Sequence, residues 1–183
     1  CVQHIARLYD ALGVQWFAVS NLEEALQLRQ MGLSQRILIL SYTPPEAVTT
    51  LAAQNITTAV VSLEHAMALS VRAAEEGVQL TVHLKVDTGM GRVGLRDDAD
   101  ILEACRLPHL TAEGIFTHFA TADEDRNEGG LTEKQLARFE AVETMAKIAK
   151  RTEEALDYVA IFQKKGISER LNSTDAISHA TVQ

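Results

Sequence analysis

The sequence predicts an α/β fold built around a parallel sheet, and two observations lead to that class. Short runs of β-branched and aromatic residues alternate with segments whose apolar residues recur at helical spacing. Successive runs are roughly 20 to 30 residues apart, which is the spacing of repeated β/α units. Such units build either an open doubly wound sheet or a (β/α)8 barrel, and in both folds ligands bind at the carboxyl ends of the strands.

The predicted strands are short runs bounded by polar or turn residues, which distinguishes them from the longer helical segments. They are Trp16–Val19, Arg36–Leu40, Thr58–Val61, Thr81–Val86 and Glu113–Phe119.

The predicted helices lie between these strands and carry recognisable ends. Asn21 and Glu24 have the spacing of a capping box, and Gly32 follows the last residue of that helical face. Three more helices are predicted: one from Pro44 and Pro45 to about Gln54, one capped by Ser62 and ending near Glu76, and one opened by a capping box at Thr132 to Gln135 before Leu136, Phe139 and Val142.

The pattern weakens beyond Lys147. Residues 156–162 fit either a strand or a continuing helix, and no clean period follows them. The chain is therefore interpreted as one domain, 1–183, in which residues 147–183 form a divergent tail.

Composition restricts the class of protein. A hydrophobic content of 46% and a charged content of 23% are typical of a soluble globular domain. The net charge of −8 argues against a nucleic-acid partner. Only Cys1 and Cys105 are present, which is too few for a disulfide framework or a thiolate metal site, so no metal is predicted and a reducing cytoplasm fits best. Neither a membrane span nor a signal peptide is visible.

The strand Thr81–Val86 is the most informative segment for function. Strand alternation places His83 and Lys85 on one face and Val82 and Leu84 on the other. In a barrel the first of these faces would point into the lumen, where a buried cation needs a partner or a modification. The alternative is an edge strand with one face in solvent.

Two familiar motifs occur just after this strand, and neither fits its usual context. Gly89 to Gly94 matches the dinucleotide fingerprint G-x-G-x-x-G, with Glu113 about 20 residues further on. The fingerprint needs a helix at the glycines, but here the helix starts only after residue 97 or 98. Asp87 to Gly89 spells the aspartic-protease triplet, which belongs to paired triplets in nearly all-β enzymes and conflicts with the helical periods.

His118 lies at the end of the predicted strand Glu113–Phe119. A lone histidine beside aromatic residues is commonly a satisfied core residue. Its position favours a site, however, because Arg92 follows the neighbouring strand and both strand ends would meet at one mouth of a barrel. A small anionic cofactor could be held between Arg92 and His118.

Two longer motifs carry a family resemblance. The segments Lys85 to Gly94 and Gly114 to Asp123 strongly resemble bacterial alanine racemase, and Phe17 to Arg29 and Gln135 to Phe139 are also similar to that family. The resemblance covers roughly residues 4–146. It implies a pyridoxal-phosphate enzyme that interconverts L- and D-alanine for cell-wall D-alanine supply, with a (β/α)8 barrel followed by a C-terminal β domain.

The resemblance also implies roles for individual residues. Arg92 would contact the phenolic oxygen of the cofactor and the carboxylate side of the substrate. Lys85 corresponds to a lysine that is carbamylated in many members, and the carbamate would hold Arg92. His118 would pack against the pyridine ring, and Asn172 and Ser173 match a pair whose serine reaches the cofactor phosphate.

By the same resemblance, the chain is a partial (β/α)8 barrel that lacks the first strand and the C-terminal β domain. The family's Schiff-base lysine lies in a Lys-x-x-x-Tyr-Gly-His-Gly segment, and its second base is a tyrosine of the C-terminal domain; the 183 residues contain no such segment. A complete barrel takes about 250 residues, so the chain would supply about five to seven strands. We therefore expect a fragment or a natural short protein that does not racemise alanine alone, and whose dimerisation would need an interface other than the family's.

Two alternatives to alanine racemisation stay open. One is a non-catalytic binding or interaction module that keeps part of the barrel. The other is a related enzyme, since serine racemases and amino-acid decarboxylases share the barrel and the cofactor, although the Asp87 to Arg92 spelling favours a racemase.

Overall fold

The fold was analysed in a computed structural model that describes residues 2–123, 129–150 and 157–161. Strands and helices alternate along it as the sequence predicts. The strands are β1 Trp16–Val19, β2 Arg36–Ile39, β3 Thr57–Val60, β4 Leu80–Val86, β5 Leu110–His118 and β6 Asp157–Ile161. The helices are α1 Val2–Ala11, α2 Leu22–Gln30, α3 Val48–Ala53 preceded by a 3-10 turn Pro45–Ala47, α4 Leu63–Glu75, α5 Asp98–Ala104 and α6 Leu131–Lys150.

The order of the strands decides between the two folds that the sequence leaves open. All neighbouring strands in the described sheet are parallel, and their order is β1-β2-β3-β4-β5-β6. Each crossover therefore moves to the next strand in the same direction, without the reversal of order that defines a doubly wound sheet. This sequential order of parallel strands confirms the prediction of a partial barrel.

The two faces of the sheet bury different residues. The face toward the helices carries the main apolar core, to which β4 contributes Val82, Leu84 and Val86. The inner face holds a smaller apolar cluster, which consists of Leu38, Ala59, Val61 and Phe116 with Trp16 and Leu40 packed against it.

Strand β4 presents His83 and Lys85 on the inner face. The ring of His83 lies 5.2 Å from that of Trp16, and Lys85 Nζ lies 4.9 Å from the centroid of the Phe116 ring. His83 is fully buried, Lys85 is only 5% exposed, and β4 lies between β3 and β5. The alternative of an edge strand with a solvated face is therefore wrong.

A β-bulge directs Glu113 toward the amino end of this inner face. The register between β4 and β5 shifts between Val82 and His83, which leaves Glu113 as the extra residue. Its carboxylate lies 3.4 Å from His83 Nε2 and 3.2 Å from Arg36 Nη2, and the Thr57 hydroxyl donates to it. Burial would raise the pKa of Glu113, but these three partners together hold it below its usual value.

Two of the predicted helix caps are confirmed. The Asn21 side chain accepts a hydrogen bond from Glu24 N at 3.0 Å, and the Glu24 carboxylate in turn accepts one from Ser20 N at 2.8 Å. The Ser62 hydroxyl accepts a hydrogen bond from His65 N at 3.1 Å. These bonds satisfy backbone donors that the first helical turn leaves without partners.

The predicted capping box of α6 is wrong, although the helix itself is confirmed. The helix begins at Leu131, so Thr132 lies inside it, with its hydroxyl 3.0 Å from that of Thr121. The side chain of Gln135 points away from the helix start and accepts a hydrogen bond from Ala120 N. Both side chains contact the segment after β5 because this segment packs against the first turns of α6.

Other elements differ from the prediction at their ends. Helix α1 was not predicted. Strand β5 begins at Leu110, before the predicted Glu113, and β6 shows that part of the ambiguous segment at residues 156–162 is a strand. Residues 162–183 of the predicted tail lie outside the described residues. Among the described residues, no helix has the length and apolar character needed to cross a bilayer.

Candidate active site

Lys85 is a buried cation on the inner face of β4. In the described part of the chain, its ammonium has no hydrogen bond or ion pair, and its contact is with the Phe116 ring. Burial lowers the pKa of Lys85, and the guanidinium of Arg92 lowers it further, whereas Asp87 acts in the opposite direction. A larger fraction of this amine is therefore neutral than in an exposed lysine.

Asp87 organises the loop that follows β4. Its Oδ1 accepts hydrogen bonds from Gly89 N and Gly91 N, each at 3.0 Å, and its Oδ2 accepts two from the Arg96 guanidinium, at 3.0 Å from Nε and 2.8 Å from Nη2. Burial would raise the pKa of Asp87, but these bonds hold it below its usual value. Asp87, the first residue of the aspartic-protease-like triplet, therefore anchors the loop. The sequence alone did not predict this role.

The glycines of this loop allow it to return to the strand. Leu95 N donates to Lys85 O at 2.8 Å, and Asp87 N donates to Leu95 O at 2.9 Å, which closes the loop on the end of β4. At Gly94, where φ is 134°, an added Cβ would lie 2.7 Å from Asp87 N and 2.9 Å from Lys85 O. Gly94 is thus needed for a close approach of two backbones and does not bind a dinucleotide phosphate, since α5 begins only at Asp98.

Arg92 is exposed and belongs to the closed loop that follows the carboxyl end of β4. His118 is the last residue of β5 and is partly buried. Burial lowers the pKa of His118, and so do the charges of Arg92 and Lys85. The structure therefore brings together three of the predicted residues, because the cation of Arg92 acts electrostatically on both of the others.

Gln135 joins the loop after β4 to the segment after β5. Its side chain is fully buried, with Oε1 accepting from Ala120 N at 3.0 Å and Nε2 donating to Thr88 Oγ1 at 3.4 Å. Thr88 also shares a hydrogen bond of 2.9 Å with Thr117 on β5. The sequence carries one signal for this role: Gln135 is a polar residue on the buried face of α6, with Phe139 four residues further along the helix.

The other predicted site residues are not placed by the structure. Asn172 and Ser173 lie outside the described residues, so their predicted contact with a phosphate stays a prediction.

The residues that are placed fit an anionic ligand. Lys85, Arg92 and His118 stand at the carboxyl ends of β4 and β5, which is the edge where β/α folds bind ligands. Burial is the larger cause of the lowered pKa values of Lys85 and His118, and the neighbouring positive charges lower them further. An anion bound at this edge would reduce that mutual repulsion.

Comparisons with known proteins agree with the geometry. A family model described as alanine racemase, N-terminal domain, matches residues 2–161. The alanine racemase of Limosilactobacillus fermentum is 44% identical over 152 residues, which cover 80% of this chain and 40% of that protein.

Solved structures give the same result. The alanine racemase of Clostridium difficile 630 matches with a TM-score of 0.77 and 33% identity, over 87% of this chain and 44% of that one. A histidine racemase from Leuconostoc mesenteroides subsp. sake matches with a TM-score of 0.73 and 28% identity, over 87% and 42% of the two chains. The chain thus spans less than half the length of these relatives.

Proposed function

The chain belongs to the alanine racemase family through its N-terminal domain, and from that premise we propose that it supplies one wall of the active site of a pyridoxal-phosphate-dependent amino-acid racemase. The wall is formed by the carboxyl ends of β4 and β5 and by the loop that follows β4. Its role is to bind and orient the cofactor and the carboxylate of the substrate.

The convergence of Lys85, Arg92 and His118 is the observation that carries this proposal. Arg92 lowers the pKa of both other groups, so the three share one electrostatic environment. A phosphorylated pyridine and an amino-acid carboxylate are both anionic ligands, and a guanidinium can donate two hydrogen bonds to either in a fixed geometry.

Each residue has a separate task in the proposal. When bound, pyridoxal phosphate supplies an electron sink for the charge that develops when the α-proton leaves. Arg92 donates hydrogen bonds to the phenolic oxygen and to the carboxylate side of the substrate, and His118 packs against the ring. Asn172 and Ser173 complete the set through the phosphate, as the family resemblance implies.

Lys85 is proposed to act as a carbamate. The neutral amine, which burial favours, attacks the carbon of CO2 and releases one proton, leaving an anion on the side chain. This anion would pair with the guanidinium of Arg92 and would remove an uncompensated cation from the inner face. Arg92 would then be held in one orientation toward the ligand.

Alanine is the proposed substrate, because several similar proteins are named alanine racemases. The matching histidine racemase is named for a different amino acid, so proteins with similar barrels are not all named for alanine. Supply of D-alanine to the cell wall, a cytoplasmic location and assembly as a homodimer belong to the same proposal. The Lys-x-x-x-Tyr-Gly-His-Gly motif of the family does not occur in the 183 residues, and we propose that these residues by themselves do not catalyse racemisation.

The proposal is tested by equilibrium dialysis of the full chain against pyridoxal phosphate, with pyridoxal as the comparison ligand. We expect saturable binding of the phosphorylated form, weakened about tenfold by Arg92→Gln, because one charge-assisted contact is lost. Arg106→Gln is the matched control. Arg106 is an exposed arginine between α5 and β5, so this variant should bind pyridoxal phosphate as tightly as the unaltered chain. Equal affinity of the two arginine variants would refute the assignment of Arg92.

A further inference from the structure

The buried amide of Gln135 makes one contact with each of the two segments that carry the proposed site. Its oxygen accepts from Ala120 N, two residues after His118, and its nitrogen donates to Thr88, four residues before Arg92. The distances are 3.0 Å and 3.4 Å. A single side chain on α6 therefore connects the ends of β4 and β5.

The loop after β4 lies within van der Waals range of the Gln135 side chain. A Cβ added at Gly89 would lie 3.5 Å from Gln135 Cγ and 3.7 Å from its Nε2, so the backbone of the loop rests directly on the amide side chain. Gly89 has a φ of 135°, a conformation that residues with a Cβ rarely adopt.

Further along the same helix, Arg138 holds the other end of this loop. Arg138 Nη2 donates to Arg96 O at 2.9 Å and pairs with Asp98. Gln135 and Arg138 are three residues apart and so lie on neighbouring turns of one helix face. Helix α6 thus contacts the loop both before and after Arg92.

We propose that Gln135 is a positioning residue, which fixes Arg92 and His118 relative to each other by holding the two segments to α6. This inference rests on the proposed function, because binding of the cofactor is the reason why Arg92 and His118 would need a fixed relative position. The nearby Thr88 hydroxyl accepts from Gln135 and is then free to donate to Thr117, so the connection continues across both strands.

An amide of this length satisfies both partners at the position. The Ala120 N–H needs an acceptor and Thr88 receives a hydrogen, so the side chain must accept on one atom and donate on another. An apolar residue of similar volume would fill the space but leave the Ala120 N–H without a partner in a buried site. Asparagine is one methylene shorter and could not reach both partners.

The test compares three variants of the full chain. Gln135→Met keeps the volume and removes both hydrogen bonds, whereas Gln135→Glu keeps the length and the acceptor for Ala120. Thr144→Ala is the control on the same helix, because among the described residues the Thr144 hydroxyl bonds only to Glu140 O within α6. Thermal unfolding of each variant records any general loss of stability.

Two NMR measurements report on the placement itself. In Gln135→Met, we expect faster hydrogen exchange at the Ala120 amide and a His118 pKa that rises toward its ordinary value, because the His118 ring becomes less buried and Arg92, whose charge also lowers this pKa, is no longer held in place. Gln135→Glu should restore the protection of Ala120, and Thr144→Ala should match the unaltered chain in both measurements. If Gln135→Met only lowered the thermal midpoint, with the His118 titration unchanged, the role would be structural and the inference would be wrong.

Cofactor affinity separates this inference from the proposed function. If the unaltered chain binds pyridoxal phosphate, Gln135→Met should weaken binding about tenfold. If the unaltered chain does not bind it, the proposed function fails, while the exchange and titration measurements still decide whether Gln135 positions the two segments.

Discussion

The ammonium of Lys85 lies 4.9 Å from the centroid of the Phe116 ring, and the two residues pair across the ladder between β4 and β5. A cation near an aromatic ring gains about 0.5 to 2 kcal/mol, which is less than the cost of several kcal/mol for burying a charge. The ring therefore compensates Lys85 only in part. This imbalance is the physical reason to expect an anion, either bound or formed on Lys85 itself, at this point of the inner face.

Carbamylation of Lys85 is the first prediction. With 13C-labelled bicarbonate, the full chain should show a carbamate carbon signal by NMR that grows as pH rises, because only the neutral amine reacts. The signal should disappear in Lys85→Met and remain in Lys134→Met, which removes an exposed lysine of α6. Persistence of the full signal in Lys85→Met would place the modification elsewhere.

Replacement of Asp87 should destabilise the fold far more than replacement of an exposed acid. Asp87→Asn loses the pairing of a buried carboxylate with Arg96, and we expect a loss of about 2 to 3 kcal/mol in the free energy of unfolding. Asp98→Asn is the matched control: the Asp98 side chain is 55% exposed against 1% for Asp87, and we expect a loss of about 0 to 1 kcal/mol. Urea titration measures both, and equal losses would contradict the anchoring role.

Acid should destabilise the chain in two steps. Burial lowers the pKa of His65 and His118, so their unfolded forms bind more protons and stability falls as the pH drops below about 6.5. The pKa values of Asp87 and Glu113 are also lowered, so their stabilisation is complete above about pH 4 and is lost as the pH falls through their folded values. Urea unfolding at successive pH values should show both declines, and stability that is constant down to about pH 5 would contradict the histidine step.

A methyl group at Gly94 should be much more damaging than one at another glycine with positive φ. Gly94→Ala forces a Cβ to 2.7 Å from Asp87 N, and we expect a loss of about 3 kcal/mol or more. Gly77, with φ 63° and open space around it, should lose only about 1 kcal/mol when replaced by alanine. Similar midpoints in urea for the two variants would show that the loop can move away from β4.

Part of this site was predictable because strands alternate with a period of two. The separation of His83 and Lys85 from Val82 onto opposite faces of β4 follows from that period alone, and both burial and packing agree with it. The sheet itself followed from the alternation of strands with helices, but the choice between a barrel and a doubly wound sheet required the order of the strands.

The contacts that hold the site were not predictable in the same way. Gln135 and Thr88 are far apart in the chain and meet only because α6 packs beside the loop after β4. The sequence drew attention to Asp87 only as part of a triplet that belongs to another class of enzyme. Its structural role depends on hydrogen bonds from the Gly89 and Gly91 amides, whose positions no local sequence pattern specifies.

The placement of the cofactor against His118 is tested most directly by the NMR signals of the His118 ring during titration of the full chain with pyridoxal phosphate. If the cofactor lies between Arg92 and His118, the ring signals should shift in a saturable way, and Arg92→Gln should weaken that shift in parallel with the affinity. Pyridoxal phosphate that bound to the chain while the His118 signals stayed in place would contradict the proposed site.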